Sequence, residues 1–265
     1  MSRSRSLNRP PAIAIVGAGL GVALFALPLV GLVWRAPWSA TWSVLSEPET
    51  REALRLSIVT SLAATAIALV LGIPLAWVQA RVPYRGRSVV RALVLLPLAL
   101  PPVVGGIALL LALGRRGLVG QYLDDVGVNL PFHVPGAILA ETFVAMPFLV
   151  LTLEGAFRSS DRGLEEAART LGASRFAVFR RVTLPLVRPS LVAGAVLCWA
   201  RALGEFGATI TFAGNRAGKT QTLPLFVYVT LEGGTPDAAI VLSLLLVAVS
   251  LAVIIALRGH WTSGL

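Results

Sequence analysis

The sequence has very few of the residues from which redox and metal sites are built. It contains one cysteine, Cys198, and two histidines among 265 residues. A single cysteine excludes an intrachain disulfide and a cysteine-based metal site. His133 and His260 have no further His, Cys or acidic residue at ligand spacing, so neither a metal site nor a histidine base is expected. We also find no paired nucleophile and base, and therefore expect no catalytic residue and no cofactor on this chain.

Charge is scarce as well, and acidic charge most of all. Charged residues make up 14% of the chain, with 13 acidic against 23 basic side chains, while 56% of residues are hydrophobic. A mean hydropathy of +0.80 is typical of a membrane protein and excludes an ordinary soluble domain. The net charge of +10 could suggest a nucleic-acid partner. Because the Arg residues flank apolar runs with little aromatic interleaving, we expect a lipid bilayer and no nucleic acid.

What the sequence does have is long apolar runs. Six of them reach the roughly 20 residues that a membrane-spanning helix needs, so we predict an all-α polytopic membrane protein with about six transmembrane helices. The first run is longer than the apolar part of a signal peptide and is predicted to be a retained anchor. The predicted spans are 12–34, 56–79, 89–113, 134–157, 189–213 and 237–257.

The placement of arginine predicts the orientation, because basic residues near span ends are retained in the cytoplasm. Most arginines fall in the N-terminal tail, in the loop after the second span, in the loop after the fourth span, and at the C-terminus. We therefore predict a cell-membrane protein with both termini cytoplasmic. The residues that carry this prediction are Arg3, Arg5, Arg9, Arg81, Arg85, Arg87, Arg91, Arg158, Arg162, Arg169, Arg175, Arg180, Arg181, Arg188 and Arg258.

Two predicted spans contain residues that are unusual in a membrane helix. The third span includes "LPLALPPVVGG", where Pro97, Pro101 and Pro102 before Gly105 and Gly106 predict a break, which could border a cavity or be only a packing kink. The fourth span contains Glu141 near its outer end, where its carboxylate is expected to reach the interface or cap the helix.

The fifth span contains a charged pair. A lone Arg201 inside the hydrocarbon would cost about 2.5 to 3.5 kcal/mol, and Glu205, four residues on, is expected to pair with it from the same helix face. Two interpretations stay open. The pair could fix helix packing, or it could border a translocation pathway in which Arg201, Glu205, Thr209 and Thr211 present polar groups to an anion.

The fourth loop, residues 158–188, is the most polar long segment. Asp161 is predicted to cap a short helix that ends at Gly172, and Ser174 to cap a second one that ends at Pro185. Glu165 and Arg169 are expected on the exposed side of the first helix. Such a helix suits a groove on a partner protein or a lipid surface. Its predicted apolar face consists of Leu164, Ala167, Ala168 and Leu171.

A long spaced pattern runs through this loop: Glu166-Ala167-Ala168, then Gly172, then Val182-x-Leu184-Pro185. It resembles the EAA loop of permease subunits in binding-protein-dependent ABC importers, with Val where Ile is usual. The resemblance implies that the loop is a coupling helix docking into a cleft on a separate cytoplasmic ATPase, which would bind ATP and Mg. The coupling residues it implies are Leu164, Glu166, Ala167, Ala168, Leu171 and Gly172.

The same resemblance implies a two-fold dimer of this chain and an extracytoplasmic oxyanion-binding protein as partners. It implies a permease domain over 51–265, with the coupling loop at 158–188, preceded by a tail, a first span and an outer loop over 1–50. "RALGEFGATITFAGN" and "KTQTLPLFVY" are similar to permeases of molybdate importers, so molybdate or tungstate is the expected cargo. Sulfate or thiosulfate is the alternative within the family. An ion-coupled secondary transporter is the alternative from another class.

Overall fold

The computed structural model describes residues 11–257. The predictions that involve Arg3, Arg5, Arg9, Arg258 and His260 fall outside the described residues. Within 11–257 every regular element is helical. The helices are α1 (Ala12–Trp34), α2 (Thr41–Ser46), α3 (Pro48–Arg81), α4 (Arg87–Ala99), α5 (Pro102–Leu113), α6 (Gly120–Asp125), α7 (Val134–Ser159), α8 (Arg162–Thr170), α9 (Arg175–Val178), α10 (Leu184–Leu186), α11 (Arg188–Leu203), α12 (Gly207–Phe212), α13 (Leu223–Glu232) and α14 (Pro236–Leu257).

Four of the six predicted spans are single helices that are long and apolar enough to cross a membrane, namely α1, α3, α7 and α14. The second span is longer than predicted, since α3 has 34 residues and begins at Pro48. The domain boundary predicted after residue 50 therefore falls in the first turn of α3. The third and fifth predicted spans are interrupted helices, and α11 bends by 74° away from the helical segment that precedes it.

The third span breaks at Pro101 and Pro102, whereas Pro97, which also entered the prediction, lies inside α4. Helix α4 ends at Ala99, Leu100 and Pro101 are extended, and α5 begins at Pro102. A proline disfavours the helical conformation in the residue before it, and Pro102 fits the first turn of a helix because its missing N–H would have had no partner there. The predicted break is confirmed.

The fifth span was predicted to run unbroken over 189–213, and this prediction is wrong. Helix α11 ends at Leu203 and α12 begins at Gly207. The Glu205 side chain explains the interruption, because its Oε1 accepts the backbone N–H of Ala208 at 2.9 Å. A carboxylate in this position takes the role that a backbone carbonyl would have in a continuous helix.

The core is built around close contact of α3, α7 and α11. Every fourth residue along one side of α3 is small, which allows another helix to approach closely. A Cβ on Gly72 would lie 3.2 Å from Cδ2 of Leu149, so this position has little room for any side chain. The small residues of α3 at this contact are Ala64, Ala68, Gly72, Ala76 and Ala80, and they face Leu149, Leu153 and Phe157 of α7 and Cys198 and Ala202 of α11.

Candidate functional site

The hairpin formed by residues 158–188 has well-defined ends. Asp161 Oδ1 accepts the N–H of Gly163 at 2.8 Å, and Ser174 Oγ accepts the N–H of Ala177 at 3.3 Å, so both predicted N-caps are confirmed. Gly172 has φ +86°, a left-handed conformation that L side chains rarely adopt. The N–H of Gly172 bonds to the carbonyl of Arg169 and that of Ala173 to Ala168, which is the Schellman pattern of a helix end.

The predicted apolar face of α8 points away from the rest of the chain. Leu171 is 88% exposed and Leu164 is 49% exposed. Glu166 and Ala167 are also exposed, whereas Ala168 is partly buried. Leu171 is therefore left almost uncovered by the described residues, and Phe176 of α9 is a further exposed apolar residue of the hairpin, at 71%. An exposed apolar set of this kind on a charged hairpin marks an interaction surface.

Glu165 was predicted on the exposed side of α8, and that prediction is wrong. Its side chain is only 9% exposed. Glu165 Oε1 lies 3.2 Å from Arg81 Nη2 and accepts the hydroxyl of Thr183 at 3.0 Å. Arg169 Nη2 lies 3.8 Å from Glu165 Oε2, so the predicted i, i+4 pair is also present. The physical reason is that Arg81, itself 6% exposed, needs a counterion at the end of α3.

Arg81 thereby joins the hairpin to the helix bundle. The same Nη2 that faces Glu165 also donates to Ser160 Oγ at 2.6 Å, at the point where α7 leads into α8. A second ion-pair group lies close by, where buried Glu154 of α7 bonds to Arg158 and lies 3.8 Å from Arg91 of α4. The hairpin is thus tied to the ends of α3 and α7 by charge-assisted contacts, and a displacement of one would act on the others.

The second half of the hairpin does not end at Pro185 as predicted. After α9 the chain forms a wide helical turn over Phe179–Thr183 and continues through α10. The wide turn lets the chain pass a proline that has no N–H to donate. The Phe179 ring packs edge-on against Trp77 of α3, with 6.0 Å between ring centroids.

A second group of polar residues lies inside the helix bundle. Arg201 Nη2 is 2.6 Å from Glu205 Oε2, so the predicted ion pair is confirmed. The two residues do not share one helix, however, because Arg201 is in the last turn of α11 and Glu205 follows its end. The Glu205 side chain is 1% exposed, while that of Arg201 is 29% exposed and keeps contact with open space.

Glu141 belongs to the same interior and does not reach the interface, contrary to the prediction. It is 1% exposed, and its Oε1 accepts the hydroxyl of Thr60 at 2.8 Å. Glu141 Oε2 and the Thr209 hydroxyl are buried and find no partner among the described residues. Buried polar atoms without partners are rare and mark places where a ligand, an ion or water can bind.

The two interrupted spans contact each other through glycine. A Cβ on Gly106 of α5 would lie 2.7 Å from Cβ of Thr211, and a Cβ on Gly207 would lie 2.9 Å from Cβ of Pro102. Thr211 donates its hydroxyl to the carbonyl of Gly207 at 2.8 Å and is partly buried. Of the four predicted pathway residues, Arg201 and Glu205 are joined directly, while Thr209 and Thr211 lie on α12 just beyond them.

The sequence of residues 68–260 matches the model of one protein family, described as binding-protein-dependent transport system inner membrane component. The match covers most of the chain, including the hairpin and the interior polar residues Glu141, Arg201, Glu205 and Thr209. The chain belongs to this family. It is a multi-pass membrane protein and a transport component rather than an enzyme.

Several relatives in this family carry related names. The chain is 49% identical over 256 residues to the molybdenum transport system permease protein ModB of Mycobacterium tuberculosis, covering 96% of this chain and 94% of that protein. It is 41% identical to ModB of Escherichia coli, covering 82% and 95%. It is 34% identical to the sulfate transport system permease protein CysT of Salmonella typhimurium, covering 88% and 85%.

Solved structures agree on the fold. A bacterial alginate ABC transporter in complex with its alginate-bound periplasmic protein matches with a TM-score of 0.74 at 19% identity, covering 92% of this chain and 91% of that one. The MetNI methionine ABC transporter in an inward-facing conformation matches with a TM-score of 0.55 at 21% identity, covering 80% and 94%. The architecture is therefore that of ABC transporter permease chains.

Proposed function

We propose that the chain is the membrane-spanning permease subunit of an ATP-driven importer for molybdate or tungstate. The observation that carries this proposal is the 49% identity to a molybdenum permease across nearly the whole chain. The relation to a sulfate permease is weaker, at 34% identity, which leaves sulfate or thiosulfate as the second candidate. The cargo would be delivered by an extracytoplasmic oxyanion-binding protein.

The hairpin is the proposed contact with a separate cytoplasmic ATPase. Its exposed set, Leu164 and Leu171 beside Glu166, offers an apolar face with one acidic group to a groove on that partner. Gly172 fixes where the face ends. ATP and Mg would bind to the partner, and this chain would contribute the membrane helices that change conformation during transport. Arg81 and Glu165 would transmit the partner's motion to α3.

Each chain has one such hairpin, and an ATPase pair with two equivalent grooves needs two of them. A two-fold dimer of this chain meets that need. Docking also requires the hairpin, and with it both termini, to face the cytoplasm. The arginines of the hairpin and of the α3–α4 loop support this orientation.

The pathway for the anion is proposed to pass the interior polar group. Arg201 is the only one of its charged residues with a partly exposed side chain, and it supplies positive charge that Glu205 partly offsets. The unpartnered Thr209 hydroxyl lies nearby on α12. In alternating access this group would be reached from one side of the membrane at a time. The partner can drive the switch only by binding the two conformations with different affinity.

Uptake measurements test the proposed function. The chain is expressed with its ATPase and binding protein in cells that lack their own molybdate permease, and uptake of molybdate, tungstate and sulfate is compared. We expect molybdate and tungstate to be taken up in preference to sulfate and only when the ATPase can hydrolyse ATP. Preference for sulfate would assign the second cargo. Uptake by the reconstituted chain alone, driven by a pH gradient, would instead show a secondary transporter.

A further inference from the structure

A cavity of about 710 Å³ lies between the hairpin and the C-terminal half of α3. Its lining includes an apolar and aromatic part with Pro74, Trp77 and Phe179. It also includes Arg162, Arg169 and Arg175, three arginines of the hairpin. The cavity thus combines an apolar part with a cluster of positive charge at one end of a membrane-spanning helix.

Arg81 also lines the cavity and is incompletely paired. Its Nη2 donates hydrogen bonds to Glu165 and Ser160. Its Nε and Nη1 are buried and have no acceptor among the described residues. Buried guanidinium N–H groups without acceptors are costly, because they have lost water and gained nothing in exchange. An anionic oxygen that enters from the cavity would supply the missing acceptors.

The charges around the cavity do not cancel. Glu165 offsets Arg81, and Glu166 is the other acidic residue of the lining, against the three hairpin arginines. A positive excess therefore remains, and the exposed Arg162 and Arg175 are not in any ion pair within the described residues. Two arginines with free donors suit a phosphate group, which accepts from both at once.

From these observations we infer that the cavity binds the phosphate headgroup of an anionic membrane lipid. The apolar part of the lining decides between a lipid and a free ion. Val70 and Leu71, one turn before Pro74 on α3, are exposed apolar residues that would face hydrocarbon, so an acyl chain can follow α3 while its phosphate stays with the arginines. Trp77 has the amphipathic ring that membrane proteins favour at the level of the headgroups.

The consequence concerns the joint between the hairpin and α3. A lipid phosphate held by Arg162 or Arg175 on one side and by Arg81 on the other would bridge the same two elements that the Arg81–Glu165 pair joins. The site would make hairpin docking sensitive to the anionic lipid content of the membrane. This goes beyond the proposed transport function and stands or falls separately from it.

The test uses the purified full-length chain in phosphatidylcholine nanodiscs and measures binding of phosphatidylglycerol by native mass spectrometry. The test variant is Arg162→Gln with Arg175→Gln, which removes two charges from the cavity. The matched control is Arg180→Gln with Arg181→Gln, which removes two exposed charges of the same hairpin that do not line the cavity. We expect at least about a tenfold loss of affinity in the test variant, since each basic residue near an anionic lipid contributes appreciably, and less than about a twofold loss in the control.

Three results would overturn the inference. Equal losses in the two variants would show unspecific attraction of lipid to a basic hairpin. Displacement of the lipid by millimolar inorganic phosphate would show a site for a free anion. Loss of bound lipid when the ATPase is added would show that a protein partner fills the cavity. None of these outcomes bears on molybdate uptake, so the inference can fail while the proposed function holds.

Discussion

Glu165 in the hairpin and Glu205 in the bundle are both buried carboxylates that face an arginine, but their surroundings differ. Glu165 has Arg81 and Thr183 around it, on elements 84 and 18 residues away in the sequence, and Arg169 on its own helix. Glu205 has Arg201 and the N–H of Ala208, both within four residues, and nearby α7 and α12 carry buried polar atoms without partners among residues 11–257. The arrangement around Glu165 joins separate elements of the fold. The arrangement around Glu205 leaves nearby polar atoms free to bind a ligand, an ion or water.

The difference separates two kinds of buried charge. A carboxylate with its bonding capacity filled by other parts of the fold stabilises a joint, and removing it should damage the structure first. Replacing a buried polar group that lacks some of its hydrogen bonds lowers stability less, because the native structure already bears part of the cost of burying it. Mutation of Glu165 should therefore lower stability most, whereas mutation of the Arg201–Glu205 pair should lower stability less and affect transport.

The largest effect on stability is expected for Glu165→Ala. This variant leaves Arg81 buried without a counterion, which costs about 3–5 kcal/mol. The free energy of unfolding in mixed micelles measures it. Glu166→Ala is the matched control because its side chain is exposed, and it should change the free energy by less than about 0.5 kcal/mol. If both variants lose the same amount, Glu165 is not the joint that the structure describes.

Arg201→Gln is expected to have the next largest effect. It removes the counterion of Glu205, which keeps its bond to the N–H of Ala208, and costs about 1–3 kcal/mol. The cost is less than for the Glu165 change because the Arg201–Glu205 pair is partly open to solvent through Arg201, which is 29% exposed. Arg216→Gln, in an exposed loop, is the control and should leave both stability and uptake unchanged.

The double variant Arg201→Gln with Glu205→Gln sharpens this comparison. It should recover most of the lost free energy of unfolding, since no buried charge is left unpaired. Molybdate uptake should stay low, because the positive charge of the proposed pathway is gone. Full recovery of uptake would mean that the pair serves packing alone.

A smaller effect is expected for Gly172→Ala. No atom of the described part of the chain lies within 4 Å of an added Cβ, so the cost comes from the left-handed conformation alone and is about 1–2 kcal/mol. Gly155→Ala has equal space but an ordinary helical conformation, and should be neutral or slightly stabilising. The unfolding free energies of the two variants measure the difference. A neutral Gly172→Ala would show that the helix end does not need this conformation.

The smallest effect on stability is expected for Leu171→Ser, below about 0.5 kcal/mol, because the side chain is 88% exposed. The amount of ATPase that co-purifies should nevertheless fall at least about tenfold, since a docking face loses its most exposed apolar residue. Leu118→Ser is a matched control, being 76% exposed in the predicted outer loop. Equal ATPase recovery with both variants would contradict the assignment of the docking face.

The sequence predicted correctly those features of the fold that depend on a single segment of the chain. Long apolar runs predicted α1, α3, α7 and α14, and consecutive prolines predicted the break after Ala99. The caps of the hairpin helices are also local, since Asp161 and Ser174 bond to residues two and three positions away. Such features depend on neighbours along the chain and need no knowledge of the fold.

The predictions that were wrong depend on partners far away in the sequence. Glu165 looks exposed in an isolated amphipathic helix, and only Arg81, 84 residues earlier, makes it a buried residue. Glu141 is held inside by Thr60, 81 residues before it. The break after Leu203 arises from a side chain that competes with the backbone, in a stretch where glycine alone gives a weak signal. In the sequence, the hint that Glu165 is buried is Arg81, a basic residue just after the second predicted span.

The central claim is that the exposed face around Leu171 is the cytoplasmic docking surface for a separate ATPase. It is tested most directly by labelling Leu171→Cys with a membrane-impermeant maleimide, in a background where buried Cys198 is replaced by alanine. The account predicts no labelling in intact cells, strong labelling in inside-out vesicles stripped of the ATPase, and protection when the ATPase is added back. Labelling in intact cells, or labelling that the ATPase leaves unchanged, would contradict it.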